Sequence, residues 1–481
     1  MATLLSSLPA GEAGGVGVVV VGEAPEPDDR EPVDIIAAIF FDGTGNNRTN
    51  TKLGLDEAKD GYVTVNDKRI KVEGSFESYY SNVAIMGYMS RIEDNLKEIS
   101  IYVEGIGTTD GGDDDTMGMA FGMGTTGVPA KVTRGILLLT DTITRLLQPT
   151  DGAGPGKRLN RLRVDAAGFS RGATAARHFV ARRTNEWFKQ YTSLSGSLYV
   201  EEAIIEINFV GLYDTVSSYG GEEYTSMVGQ IYNNRVHHSF DDDVQELHLA
   251  LGDKVKEVVQ LAAADEYRKN FASTTIASSV KANKGLEVRL PGVHSDIGGS
   301  YQEYQLEERN VAAADVRGYI REKWYTASQL EPINVFKRWY RGRRPLTNHY
   351  QFIALTIMLN QAKNGARHEP MKFEEFAGEF QKYAVPEVLH PLYELMNTFV
   401  EGRPAPSFGE PKPGLPANHN DDYSQYKPAE FALTEEWYWV RNRYLHRSVR
   451  KGEWTSIDGY TMTGRTTDNL PDRQIIQDLT P

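Results

Sequence analysis

The chain contains no cysteine. That removes thiolate nucleophiles, thiolate zinc sites and disulfides, and leaves the redox compartment open. It also lacks any uninterrupted apolar run long enough for a membrane span; Val16–Val21, bordered by Gly and Glu, is the only apolar run near the N-terminus. Positive charge is in deficit: 52 Lys and Arg stand against 66 Asp and Glu, a net charge of −14. Phosphate neutralisation needs a basic surface, so no nucleic-acid partner is expected. Met1–Pro32 has no positively charged start. Its Gly, Ala and Pro and the acidic stretch Glu23–Glu31 read as a flexible arm, not as a signal peptide.

What is present fits a soluble globular protein with one large domain and insertions, or two domains: 481 residues, 40% hydrophobic and 25% charged. The organising stretch is Arg161–Arg177, in which a run able to form a buried strand ends at Gly168-Phe-Ser170-Arg-Gly172 and an Ala-rich segment follows. A serine between two glycines on a sharp strand-to-helix turn projects its hydroxyl above the sheet. The amide of Arg171, at the helix N-terminus, is then placed to bind a developing oxyanion. A plain Gly-Ser turn is the competing reading.

Earlier in the chain, Asp34–Phe41 reads as a buried parallel-sheet strand that stops at the loop Asp42-Gly43-Thr44-Gly45-Asn46-Asn47. Ligands of open α/β sheets gather at strand C-terminal ends. The loop is therefore a candidate oxyanion wall through Gly43 and Thr44, or a tight turn held by its Asp and Asn side chains. A phosphatase-type loop with Asp42 as nucleophile fails, because Phe40 occupies the paired acidic position. Ile99–Val103 is a second strand, and Ala130–Leu147 a helix with one apolar face. Between them, Thr108–Gly127 is expected to be a Met-bearing flap near the catalytic mouth. Its Gly122-Met-Gly124-Thr-Thr-Gly127 spells a dinucleotide fingerprint, but no strand leads into it. Its Asp113-Asp114-Asp115 run is read as a solvated loop in preference to a cation site.

Downstream, the strand Ala203–Val210 leads to Asp214, placed where a triad's orienting acid belongs; the competing reading is a turn or helix-cap aspartate. Glu246–Ala264 is expected to be helical and Leu286–Leu290 a strand, followed by a Gly-rich loop with His294. The order Ser170, Asp214, His294 is that of an α/β-hydrolase, with His446 as the rival base. From Val316 to Arg344 bases and aromatics interleave. Trp324, Trp339, Tyr340 and Arg341 are candidate membrane contacts on a basic-aromatic surface; an amphipathic cap helix packed on the core is the alternative.

Phe41–Asn47, Gly168–Ala173, Gly211–Val216, Ala264–Arg268 and Pro291–Gly299 occur in the order seen in bacterial α/β-hydrolases of the type VI secretion lipase effectors, the GxSxG phospholipases of the first class. The chain resembles that family over roughly residues 34–365. The resemblance implies a mainly parallel central sheet flanked by helices, with helical insertions or a cap. It puts the nucleophile on Ser170, the acid on Asp214 and the base on His294. It also implies hydrolysis of glycerophospholipid acyl esters, delivery through a secretion spike protein and an immunity protein in the producing cell. No cofactor or metal is called for. Expected boundaries are an arm over 1–33, a hydrolase core over 34–315, and an insertion and C-terminal region over 316–481 with a helix at 346–366 on the core. A soluble carboxylesterase or thioesterase, and a catalytically silent binding module of the same fold, are the alternatives.

Overall fold

The computed structural model describes residues 30–90, 98–148, 156–182, 204–217, 243–268, 271–334, 339–364, 367–407, 426–447, 473 and 475–478. The N-terminal arm lies outside the described residues. Strand β1, Glu31–Phe41, is buried on both sides: Ile35, Ala37, Ile39 and Phe41 enter one apolar core, Ala38 and Phe40 the other. This follows from the two-residue period of a strand covered on both faces. A hairpin of β2 (Tyr62–Val65) and β3 (Lys68–Lys71) precedes β4, Glu98–Val103. Then come β5 (Lys157–Phe169), β6 (Ile204–Tyr213), β7 (Val255–Ala263), the short β8 (Ser273–Thr274) and β9 (Gly285–Leu290).

Seven strands form the central sheet in the order β13-β9-β7-β6-β5-β1-β4, where β13 is Ala429–Glu430, and every pairing is parallel. The helix Val128–Leu147 covers one face with Val132, Ile136, Leu139, Ile143 and Leu147. Each such side chain contributes about 1.5–3 kcal/mol on burial. Helices Asn82–Met89, Gln351–Lys363 and His390–Glu401 cover the other face. Strand β1 lies between β4 and β5, so the chain leaves β1 toward one edge and β5 toward the other. The crevice of such a sheet opens at that switch point, above the strands' C-terminal ends.

Two expectations are corrected. Glu246–Ala264 is not a helix: it holds the end of one turn, Asp243–Glu246, and then the central strand β7. Val255, Val258, Val259, Leu261, Ala262 and Ala263 are all buried, and apolar residues interrupted by Lys256, Glu257 and Gln260 do not by themselves separate strand from helix. The basic-aromatic stretch is not a long cap helix either. Among the described residues there, only Val316–Arg321 is α-helical, with a 3-10 turn at Ala327–Gln329. Strands β10 (Tyr304–Ala312), β11 (Leu330–Asn334) and β12 (Trp339–Thr347) make an antiparallel sheet with β12 in the middle. Phe336, Lys337 and Arg338 lie outside the described residues. A last strand, β14 (Ile475–Ile476), pairs parallel with β8.

Candidate active site

Strand register assembles the site before any side chain is considered. Phe41 pairs with Gly168 and Val103, and Phe169 pairs with Tyr213, which pairs with Leu261. The residues that follow, Asp42, Ser170 and Asp214, therefore emerge side by side at one edge of the sheet. The amide of Ser170 donates to Tyr213 O at 3.0 Å, and that of Asp214 to Leu261 O at 2.8 Å.

Ser170 itself has φ 57° and ψ −128°, a strained backbone for a residue with a side chain, and it leads directly into the helix Arg171–Ala181. The turn is possible because its neighbours are glycines. A Cβ on Gly168 would lie 2.4 Å from Gly172 O, and one on Gly172 would lie 2.2 Å from Asp42 O. Ser170 is 5% exposed, Asp214 0% and His294 4%.

Asp214 also has a positive φ, 44°, which turns its carboxylate back across the strand ends. His294 opens the short helix His294–Gly298 after β9, and its Nδ1 is 2.6 Å from Asp214 Oδ2. The ring packs against Phe169, centroid to centroid 4.6 Å, and edge-on against Phe271 at 4.8 Å. The imidazole is thus held against the residue just before Ser170. Among the described residues no hydrogen bond joins Ser170 Oγ to the His294 ring. Such bonds commonly tighten only when substrate binds.

The charges are set by burial and by partners. Burial pushes the His294 imidazole below the usual histidine value, against the opposing pull of Asp214. Burial would raise the Asp214 carboxyl, but the Arg473 guanidinium, with help from His294, holds it well below the ordinary carboxylate range. The motif residue Glu266, buried behind His294, accepts the His294 amide at 3.3 Å and pairs with Arg268 at 2.8 Å.

On the other wall, Asp42 holds the β1 loop in place. Oδ1 accepts from Ser81 Oγ at 2.5 Å and from the Gly43 amide at 2.8 Å; Oδ2 accepts from Tyr102 OH at 2.5 Å. Burial raises the Asp42 carboxyl while these donors oppose the rise. The Gly43 amide is therefore already engaged by Asp42. The loop's far end is fixed by Asn47, which caps the helix Arg48–Asp56. The loop is thus a tight turn held by its Asp and Asn side chains, the second of the two sequence readings.

The segment opposite contributes a methionine. Met119 Sδ comes within 3.7 Å of the position a Cβ on Gly45 would take, and Met119 O accepts from the Arg171 side chain. The three aspartates there have separate tasks: Asp113 pairs with Lys68, Asp114 binds Ser75, and Asp115 caps the helix Thr116–Phe121. Gly122 ends that helix and Gly127 starts the next.

His446 is apart from Ser170's acid. It pairs with Asp296 at 2.7 Å and stacks on Tyr301 at 3.6 Å, pinning the segment that carries His294. Of the four candidate membrane contacts, alternation along β12 splits the set. Tyr340 packs against a small apolar cluster under the sheet, and half-buried Trp324 touches both that cluster and the main core. Arg341 is half out in solvent, paired with Glu308 at 3.2 Å, on the same side of the strand as Trp339 and Arg343. The exposed Tyr304 and Leu306 of β10, unforeseen in the sequence, are 71% and 63% accessible. Arg473, too, gave no signal: it lies 259 residues from the acid it touches.

Comparison with known proteins follows the same lines. Residues 181–317 match the family described as T6SS, Phospholipase effector Tle1-like, catalytic domain; the match includes Asp214 and His294 and begins after Ser170. The fold is similar to that of a solved protein described as the Tle1 effector bound to the VgrG spike from the Type 6 secretion system, with TM-score 0.51 and 19% identity over 93% of this chain and 94% of that one. An uncharacterized protein from Pseudomonas aeruginosa aligns with TM-score 0.44 and 18% identity over 77% of this chain and 51% of that one. No curated protein matches the sequence. The fold is thus α/β-hydrolase-like, and the chain is similar to the Tle1-like phospholipase effectors of type VI secretion, the family its motif order resembles.

Proposed function

We propose that the protein is a serine hydrolase of the phospholipase A type that cleaves acyl esters of membrane glycerophospholipids, as an antibacterial effector delivered by a type VI secretion system. The observation that carries this reading is the buried Asp214–His294 pair, 2.6 Å apart, beside a strained serine between two obligatory glycines. In the first step Ser170 Oγ attacks the ester carbonyl carbon while His294, oriented by Asp214, takes the hydroxyl proton. The amides of Arg171 and of Thr44 are assigned to the oxyanion, because the Gly43 amide is taken by Asp42. Collapse of the intermediate breaks the ester C–O bond, and His294 returns the proton to the departing lysophospholipid. Water then attacks the acyl-serine with His294 again as base, releasing fatty acid and restoring Ser170.

The depressed imidazole supports this role, because a base must be neutral at working pH. The family matched supports the lipid substrate, and the similar effector's complex with a spike supports a spike protein as partner. An immunity protein in the producing cell completes the proposal. Among the described residues no helix is long and apolar enough to cross a membrane, so contact with lipid is assigned to a surface. The solvent face of the β10–β12 sheet, with Tyr304, Leu306, Trp339 and Arg341, is that surface.

The test is Ser170→Ala on a defined mixed-chain phospholipid, with products read by mass spectrometry. The parent should release one fatty acid and a lysophospholipid; the variant should lose at least about a thousandfold in rate with an unchanged melting temperature. Equal turnover by the variant overturns the assignment.

A further inference from the structure

We propose that Arg473, carried on a C-terminal strap, is a positioning residue of the catalytic acid, so that the strap belongs to the active site; this rests on the Ser170–Asp214–His294 reading.

The contact is unusually complete. Arg473 Nη1 donates to Asp214 Oδ1 at 2.7 Å and Nη2 to Asp214 Oδ2 at 2.9 Å, a two-pronged grip on the carboxylate. Its remaining donors go to Ala263 O at 2.8 Å and to Phe271 O at 2.8 and 3.1 Å. All five guanidinium N–H groups are thereby used. The side chain is 1% exposed, so the charge is fully inside the protein. Asp214 and Phe271 are the two groups that touch the His294 ring at its Nδ1 and at its edge. One guanidinium therefore fixes both.

The strap is anchored independently of that grip. Ile475–Ile476 adds a strand to Ser273–Thr274, and the amide of Thr275 donates to Ile476 O at 2.9 Å. Gln477 bonds Thr275 at 2.9 Å and Tyr426 O at 2.9 Å. Asp478, fully buried, pairs with the buried Arg177 at 2.7 Å and accepts from Ser278. The same β8 segment is tied to the residues after Asp214, with the Thr274 amide donating to Thr215 O at 3.0 Å.

A bidentate cation does two things to a buried catalytic carboxylate. It removes the rotational freedom of the group that orients the base, and it offsets the cost of keeping that group ionised away from water. The grip also places a positive charge on the same carboxylate oxygen that His294 contacts, which disfavours the imidazolium. The other charged groups acting on His294 are Asp214 itself and Glu266 and Arg268 from the segment after β7; Asp296, on the helix His294–Gly298, is paired with His446.

The experiment measures the rate at which a fluorophosphonate labels Ser170 across pH, in the full chain. Labelling forms the Oγ–P bond and expels fluoride, with the hydroxyl proton taken by the base. The parent should label with an acidic limb set by His294; no labelling of the parent overturns the triad reading, and the role of Arg473 falls with it. Arg473→Gln should slow labelling at least about tenfold and move the limb up by about one pH unit, since the opposing cation is gone. Arg473→Lys keeps the charge and loses the two-pronged grip, so the limb should stay in place while the rate falls. Gln477→Ala loosens the strap without touching Asp214, and should lower the melting temperature with the limb unmoved. An Arg473→Gln variant whose limb coincides with the parent's shows a merely structural residue and overturns the proposal. If Arg473→Gln does not fold, Arg473→Lys with the parent's full rate overturns it instead.

Discussion

Gly172 has no room for a side chain: an added Cβ would meet two backbone oxygens, Asp42 O at 2.2 Å and Phe41 O at 2.4 Å. Backbone cannot step aside as a flexible side chain can, so Gly172→Ala should cost about 1–3 kcal/mol or more of stability and displace the β1 loop from Ser170. Urea denaturation and fluorophosphonate labelling measure the two effects; an unchanged midpoint would show that the turn tolerates a methyl group. At His294 burial lowers the imidazole pKa. The base is therefore lost only as pH falls below the ordinary histidine range, and the acidic limb of kcat/KM should lie below about 6.5. A limb above that value would mean that the site favours the imidazolium. The positions of Ser170, Asp214 and His294 at the strands' C-terminal ends were readable in the sequence because each follows a strand of recognisable apolar character, where a parallel sheet collects its functional groups. Arg473 was not readable, since no periodicity or spacing links a residue to an acid 259 positions away.

Among the elements, β1, β4, β5, β6 and β9 announce themselves by continuous or alternating apolar runs. Strand β7 does not, because Val255–Ala263 mixes helix-forming Lys, Glu, Gln and Ala with its valines, and only its central place in the sheet decides its conformation. The β10–β12 sheet was obscured in a similar way. Interleaved bases and aromatics suit a helix that faces two ways, but at two-residue spacing they send Arg341 and Arg343 to solvent and bury Arg344 against Glu307 at 2.6 Å. This sorting makes a prediction about lipid adsorption. Replacing Tyr304, Leu306 and Trp339 with serine should weaken co-sedimentation with anionic liposomes several-fold. Trp324→Phe, on a residue packed against the core, should leave adsorption unaltered. The reverse pattern would move the membrane contact elsewhere.

For the molecule as a whole, the buried polar network beneath the sheet's far end couples stability to pH. Burial, with the Asp478 charge adding to it, raises the Glu287 carboxyl to about 7, against donors from Ile276, Gln260 and Tyr426. The folded state thus holds a proton that the unfolded chain has already lost above its ordinary value of 4.5. Stability from this group is fully present below that value and is lost as pH rises through about 7. Glu287→Gln should therefore lose less stability between pH 5 and pH 8 than the parent does, as read from urea midpoints at the two values. An equal loss in both proteins would assign the pH dependence to other groups. The same network receives Gln477 and Asp478, and close to them in the chain the arginine that grips Asp214. Arg473 leaves the ribosome after Ser170, Asp214 and His294. On the proposed reading, a nascent chain carries all three groups of the relay before the clamp on Asp214 exists, and the hydrolase is spared from being fully armed while still under construction.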